Sequence, residues 1–502
     1  MLLQEPSNPL PLRDYQEIAI ENLRNSLRAG HRRPLLQSPT GSGKTRLAGE
    51  IFRMAREKNK RVVFTVPRID LIDQTLRSFW RDGIADIGVI QADHSETDWS
   101  RPVQIASVQT LQRRGYPTAD LVIVDEAHVV FKCVREWIAH PEWQRVPFIG
   151  LSATPWTKGL GKYYDDLIVV ATTGQMIDQG YLSDFRVFAP SHPDLSAVKV
   201  VAGDYHEGQL SEAMSDGGLV GDVVQTWQSR AEGRPTLVFC VDRAHAKAVQ
   251  QRFMAAGISA GYQDAYTPKD QREQIRRNFE KGRYQVVASV GTLTMGVDWD
   301  VRCISLCRPT KSQILYCQIV GRGLRPKTGD PNDCLILDHS DNTLRLGFVT
   351  DIHREKLDTG EKRTAEVRSA ALPKECPKCA FLMPRKVREC PNCGHVKQPP
   401  VSKIEPAEGH LVELRRRGGT RPVSNSAIQL MGRTMPLRSF FAELRYLCEM
   451  RGYKPGWASN KYREAVGEWP RFDWVEPEVA SYEVLSWVRA GQIRWAKRRG
   501  AQ

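Results

Sequence analysis

A chain of 502 residues, 41% apolar and 26% charged, has the composition of a globular protein and more length than one hydrophobic core supports, so several domains are expected. Its formal net charge of +14 favours a polyanionic partner, because Lys and Arg that neutralise phosphates release counterions. No run approaches the ~18 apolar residues of a membrane span, and residues 1–11 lack a charged start followed by an apolar core. No membrane partner and no secretion are therefore expected, and a reducing, cytoplasmic setting leaves the 11 cysteines as thiols or metal ligands.

Residues 34–37, 61–66, 103–106, 121–124 and 148–151 are short apolar runs separated by helical stretches, a rhythm that predicts a parallel sheet covered by helices. The same rhythm resumes at 236–241, 285–289, 303–307 and 334–337, after a stretch at 174–208 rich in Gly, Asp, Ser and Pro that reads as a separator. The expected organisation is an α/β chain of two tandem parallel-sheet lobes, residues 1–178 and 179–350. A linker with a small cysteine module follows at 351–400, then a basic, Trp-rich, mainly helical region at 401–502. In that last region Leu437, Phe440, Phe441, Leu444 and Leu447 recur at helical spacing.

Ser38-Pro39-Thr40-Gly41-Ser42-Gly43-Lys44-Thr45 lies between a predicted strand and a predicted helix. Gly41 and Gly43 allow the backbone to fold tightly and aim N–H groups at phosphate oxygens, and the following helix adds its positive end. Lys44 can reach the terminal phosphates and the Thr45 hydroxyl can ligate Mg²⁺. Ser38 stands where the strict phosphate-loop pattern has Gly. Downstream, the apolar run 121–124 delivers Asp125 and Glu126 to the C-terminal end of a strand, where an open α/β sheet binds ligands. There Asp125 can hold Mg²⁺ and Glu126 can orient the attacking water for ATP hydrolysis. Two acids after a strand are common surface punctuation by themselves; the phosphate loop in the same unit gives them meaning.

Asp125-Glu126-Ala127-His128 resembles the DEAH form of the hydrolysis motif of superfamily 2 helicases, and residues 38–45 resemble that superfamily's phosphate loop. Further similarities follow in family order. Residues 12–16 are similar to the segment whose Gln, here Gln16, contacts adenine. Residues 152–155 resemble the motif coupling ATP to nucleic acid. Residues 294–298 resemble a second-lobe motif in which Gly296 and Asp298 lie near the nucleotide. Residues 318–325 resemble the motif that donates arginine fingers, here Arg322 and Arg325. The resemblance covers residues 12–326 and implies two RecA-like lobes hydrolysing ATP at their interface. Arg322 and Arg325 sit one helical turn apart and are therefore expected to share a face. Residues 66–68, 107–111 and 236–243 resemble strand-contact motifs, which imply backbone recognition with little sequence readout.

Cys376, Cys379, Cys390 and Cys393 form two CxxC knuckles ten residues apart. Four thiolates complete a tetrahedral site with no position left for water, so a structural Zn²⁺ ribbon is expected, with rubredoxin-like iron as the rival. His395 is expected to be a bystander. The tail interleaves Trp457, Trp469, Trp474, Trp487 and Trp495 with basic groups; most suit core packing, while stacking on single-stranded bases is the alternative. Residues 452–457, 461–462 and 468–470 resemble the tail of RadD-like DNA helicases, a bacterial and phage-borne group. That resemblance implies a DNA repair or recombination helicase acting on single-stranded or branched DNA in a bacterial or phage-infected cell, with a single-strand-binding protein as partner. The motor of a restriction endonuclease and a remodeller that hydrolyses ATP without separating strands are the other readings.

Overall fold

Burial on both faces turns the apolar runs into strands. The computed structural model describes residues 11–91, 94–201, 203–214, 217–294, 299–326, 332–361, 372–396, 427–430, 433–454, 456–470 and 475–500, with the side chains of 217–222 and 492–500 excepted. The first lobe holds β1 (Pro34–Gln37), β2 (Val62–Val66), β3 (Ile87–Ile90), β4 (Val103–Ser107), β5 (Leu121–Asp125), β6 (Phe148–Ser152) and β7 (Asp166–Val169). They form one sheet in the order β3-β4-β2-β5-β6-β1-β7, with every pair parallel. Parallel neighbours need helical crossovers, which cover both faces and remove the need for polar alternation. One face packs Phe52, Phe64 and Phe79, with Phe64 edge to face against both others; the other packs Trp137 with Phe148 and Tyr116. The order brings β5, β6 and β1 side by side. The phosphate loop, Asp125 and Ser152 therefore emerge from adjacent strand ends.

The stretch 174–208, expected as a separator, is partly structural. It supplies β8 (Phe185–Phe188), which pairs with the second lobe's sheet, and a hairpin of β9 (Val200–Val201) and β10 (Asp204–Tyr205). A four-residue edge strand set among turn-forming residues leaves no periodic signal to read. β11 (Thr236–Cys240), β12 (Ala260–Gln263), β13 (Val286–Ser289), β14 (Cys303–Cys307) and β15 (Cys334–Asp338) complete that parallel sheet in the order β12-β13-β11-β14-β15-β8. Cys240, Cys303, Cys307 and Cys334 are buried in its strands as free thiols, and burial pushes the Cys307 thiol up to about 12.

The cysteine module pairs β16 (Lys374–Glu375) with β17 (Leu382–Met383). It leans on the edge of the second sheet. An antiparallel bridge joins Phe188 to Phe381, their rings 5.4 Å apart, and Ala189 N donates to Ala380 O at 3.0 Å.

A separate unit, Pro400–Gln502, holds the hairpin β18 (Ala427–Leu430) and β19 (Arg433–Pro436) with helices Leu437–Met450, Trp457–Val466 and Tyr482–Gly500. Phe440, Phe441, Leu444 and Leu447 point into its core, as their spacing predicts. Trp487 packs on Phe440 and Trp457 on Tyr453, whereas Trp469 is half exposed with the Arg463 guanidinium over its ring. Trp474 and Trp495 lie outside the described side chains. Among the described residues no helix is long and apolar enough to cross a membrane.

Candidate nucleotide site and cysteine centre

The loop after β1 is held from below and from one side. Ser38 N donates to Ser152 O at 2.9 Å, tying its start to β6. Ser42 N and Oγ both donate to Pro39 O, at 3.1 and 2.6 Å, and the Ser38 and Ser42 hydroxyls touch. Gly43, at φ +81°, caps the helix Lys44–Arg56. A Cβ there would come 2.8 Å from Gln16 Nε2, so glycine serves both the left-handed turn and the close approach. Thr45 follows Lys44 in the helix, whose first amides lack intrahelical acceptors and suit an anion.

Gln16 is buried beneath this loop. Its Nε2 donates to Ser42 O at 3.0 Å and its Oε1 accepts from Arg13 N at 3.1 Å. Tyr15 OH also donates to Ser42 O, at 2.9 Å, and the Arg13 guanidinium lies over the Tyr181 ring. The amide expected at adenine is thus built into the support of the phosphate loop.

Asp125 ends β5, and its Oδ1 accepts from Glu126 N at 2.9 Å. Burial first, and then the charge of Glu126, push its carboxyl up to about 7 against the pull of Lys44. Burial also resists ionisation of Glu126, but Lys44, His128 and Arg322 outweigh it and hold that carboxyl down at about 2. Glu126 Oε1 lies 3.8 Å from Lys44 Nζ. Its Oε2 is 3.3 Å from His128 Nδ1, yet is buried with no aligned hydrogen bond. Glu126 has φ +49°, a left-handed conformation that costs a non-glycine residue about 1–3 kcal/mol and clusters at functional sites.

His128 joins the lobes. Its Nδ1 is 2.9 Å from Ser152 Oγ, and its Nε2 is 3.0 Å from Gln318 Nε2 on the second lobe. Gln318 belongs to the helix Gln313–Gly323, which also carries Arg322. Arg322 is buried, donates from Nε to Thr294 O at 3.0 Å, and lends its charge to Glu126. Arg325 lies past the helix end, which corrects the expected shared helical face. Pro326 follows it and disfavours helical conformation at Arg325. Arg325 still reaches the first lobe: a Cβ at Gly41 would sit 3.5 Å from its Cγ. Gly321 is required by contact, since a Cβ there would meet Thr40 Cβ at 2.8 Å. A cavity between the lobes is lined by Pro39, Thr40, Thr154, Leu182, Cys317 and Gly321.

Gly296 and Asp298 lie outside the described residues. Of the strand-contact motifs, Ser107 caps the helix Val108–Arg114, accepting from Thr110 N, and Asp242 caps Arg243–Ala255, accepting from His245 N. Arg68 lies 3.8 Å from Asp70. The interlobe pairing of His128 with Gln318, and the part played by Leu182 and Tyr181, carried no sequence signal beyond motif membership.

The four module cysteines bring their Sγ atoms within 4.8 Å of one another. Cys376 and Cys393 stand 3.8 Å apart and Cys379 and Cys390 3.7 Å apart. A tetrahedron of ~2.3 Å Zn–S bonds has an edge of about 3.8 Å, so the set fits such an ion. His395 contributes its backbone carbonyl, which accepts from Cys390 N, and its ring is not among the clustered ligand atoms.

Two family models match the chain: the type III restriction enzyme res subunit over residues 9–157, and the helicase conserved C-terminal domain over residues 219–327. A 51.5 kDa protein of Lactococcus phage (isolate 7-9) is 29% identical over 375 residues, 72% of this chain and 77% of its own length. The Saccharomyces cerevisiae protein named "Putative ATP-dependent helicase IRC3" is 32% identical over 343 residues, 62% of this chain. The EcoKI type I restriction enzyme endonuclease subunit of Escherichia coli K12 is 27% identical over 63% of this chain. The chain spans 49% of the yeast protein and 33% of the EcoKI subunit. Among solved structures, "The fragment structure of a putative HsdR subunit of a type I restriction enzyme from Vibrio vulnificus YJ016" has the same fold, with a TM-score of 0.51 at 21% identity, over 68% of this chain and 66% of that one.

Proposed function

We propose, for a chain that belongs to helicase superfamily 2 and hydrolyses ATP, that it moves along or unwinds DNA in repair, recombination or replication. The observation that carries this reading is the closure of both lobes over one cleft. Thr40 packs against Gly321, Arg322 lends its charge to Glu126, and the Arg325 Cγ lies beside Gly41 of the phosphate loop.

The site's parts divide the work. The loop Ser38–Thr45 cradles the phosphates, with Lys44 at the terminal ones. Mg²⁺ fits the donor set of Asp125 and Thr45, because a dication returns a carboxyl held at about 7 to its charged form. Bound there, it neutralises charge on the phosphates. Glu126, kept ionised beside Lys44, orients the attacking water, and Arg322 and Arg325 stabilise charge on the transferring phosphoryl group. Gln16 supports the loop from the adenine side, and the resemblance of residues 294–298 alone assigns Gly296 and Asp298 a part near the nucleotide. Opening and closing of the cleft shifts the grip on the strand. Zn²⁺ in the Cys376, Cys379, Cys390 and Cys393 site stabilises a segment too small to bury a core.

The DEAH signature and the tail at 452–470 support a RadD-like helicase, with a single-strand-binding protein as the expected partner. The relatives among restriction-enzyme subunits favour one second reading, a restriction motor. ATPase rates with single-stranded, duplex and forked DNA and with RNA, beside strand displacement and plasmid nicking with Mg²⁺, test these readings. Stimulation by DNA with displacement supports the helicase. Nicking supports the restriction motor, and preferential stimulation by RNA contradicts the DNA assignment.

A further inference from the structure

The chain leaves the second lobe through the helix Asn342–Leu346, which Gly347 stops at φ +91°. The segment expected to be a linker then returns to the first lobe. Phe348 still packs on the second lobe, its ring centroid 6.1 Å from that of Phe185 in β8. Val349, Ile352 and His353 line the interlobe cavity together with Thr172 and Thr173 of the first lobe. Leu357 reaches the first lobe's core, packed on the cluster that holds Leu160 and Tyr164.

Asp358 fastens this return strap. Its backbone O accepts from Gly161 N at 2.8 Å. Its Oδ1 accepts from Gly159 N at 3.0 Å and from Gly360 N at 2.7 Å, so one oxygen closes the strap's own turn and joins it to the first lobe. The approach is close enough to need glycine. A Cβ at Gly161 would lie 3.2 Å from Asp358 O and 3.3 Å from Leu357 Cβ, and one at Gly360 would lie 3.4 Å from Gly159 Cα. The gripped segment, 159–162, follows β6 and residues 152–155. Leu160 N donates to Thr157 O at 3.2 Å, and Thr157 Oγ1 donates to His128 O at 2.6 Å. Hydrogen bonds and short stretches of chain thus lead from Asp358 to the backbone of His128, whose ring meets Gln318.

We infer that Asp358 is a positioning residue for ATP hydrolysis: it pins the strap from the second lobe to the turn behind His128, and so holds the lobes in the register at which Gln318 meets His128. The inference rests on the reading of the ATP cleft given above. The chain already joins the lobes once, between β7 and β8, and a single connection of that kind can act as a hinge. A second tether raises the effective concentration of one lobe's face at the other without touching the nucleotide. Glu355, Lys356 and Thr359 of the strap are exposed, so its hold on the first lobe falls to Leu357 and Asp358. Loss of the pin acts on turnover, which needs the helix bearing Arg322 in place. It spares ATP binding by the loop 38–45, which the first lobe builds by itself.

The test is steady-state ATPase of the full chain, beside the rate of tryptic cleavage after Lys356, which is exposed in the strap. Asp358→Ala speeds that cleavage and lowers kcat about fivefold, with the KM for ATP within about twofold of wild type. Asp358→Asn restores both, because its amide oxygen can accept from Gly159 N and Gly360 N. A strap that only stabilised the fold would lower the melting temperature and leave kcat unmoved. Leu357→Ala loosens the apolar half of the same hold. It lowers kcat in the same sense and carries the test should Asp358→Ala not fold. Wild-type kcat in a variant whose strap is cut faster overturns the inference, and so does an Asp358→Ala strap cut at the wild-type rate; either leaves the ATP-site reading intact. A wild-type chain that hydrolyses no ATP overturns both.

Discussion

Gln318 reaches from the second lobe to His128 on the first, its Nε2 3.0 Å from the imidazole Nε2. With Gln318 donating, His128 carries its proton on Nδ1, which faces Ser152 Oγ at 2.9 Å. One imidazole thus reads the second lobe through one nitrogen and the strand end of β6 through the other. Gln318→Ala removes the interlobe bond and leaves a buried ring nitrogen unpaired, at about 1 kcal/mol or more. The expected result is a kcat lowered about fivefold or more, with ATP affinity changed far less. An unchanged kcat would show that cleft closure does not pass through this pair.

Arg322 is the stronger case. It is buried, fixed to Thr294 O and charged toward Glu126. Arg322→Ala lowers kcat by about 10³ if it acts on the transferring phosphoryl group. Arg322→Lys does not restore it, because a point charge cannot reproduce the planar fork. Steady-state ATPase of both variants checks this; recovery in the Lys variant would assign Arg322 a merely electrostatic part.

Much of this was legible in the sequence because the chemistry requires contiguous motifs. Ser38 to Thr45 and Asp125 to His128 follow apolar strands, and strand ends in a parallel sheet converge. The sequence could not show which strand ends are neighbours, and so could not pair His128 with Gln318 across 190 residues. Pro326 did signal that the helix bearing Arg322 ends early, but the sequence could not show that Arg325 then approaches Gly41 from a bend. β8 was hidden because four residues at a sheet edge carry no period. The engagement of the Gln16 amide with Ser42 and Arg13 depends on side-chain geometry that a motif does not encode.

The cysteine centre gives a compositional test. Cys376→Ser with Cys379→Ser removes half of a Cys₄ donor set and should abolish one bound metal per chain, read by elemental analysis. Zinc in the wild-type protein at one per chain is expected. Iron in its place would favour the rubredoxin-like alternative, and unchanged metal in the variant would exclude this site.

His339 sets an acid limit on stability. It is buried, with Nδ1 2.9 Å from Ser191 Oγ and Nε2 without a hydrogen-bond partner, and burial pushes it down to about 3. Above its unfolded pKa of about 6.5 both states are neutral and the group is silent. As pH falls below that value the unfolded chain takes up a proton that the folded chain refuses. Stability is therefore lost, by about 1.4 kcal/mol per pH unit, until about pH 3. Denaturant melts between pH 7 and 4 should show a shallower loss for His339→Asn than for the wild type. Parallel profiles would remove His339 from the account.

The central claim is that two lobes enclose one triphosphate, with Glu126 directing water at it while Lys44 and the arginines hold the charge. Single-turnover hydrolysis of Mg²⁺-ATP by Glu126→Gln, beside equilibrium binding of the same nucleotide, tests it most directly. The account predicts nucleotide bound at close to wild-type affinity and cleavage slowed by about 10² or more. Cleavage at the wild-type rate would contradict it.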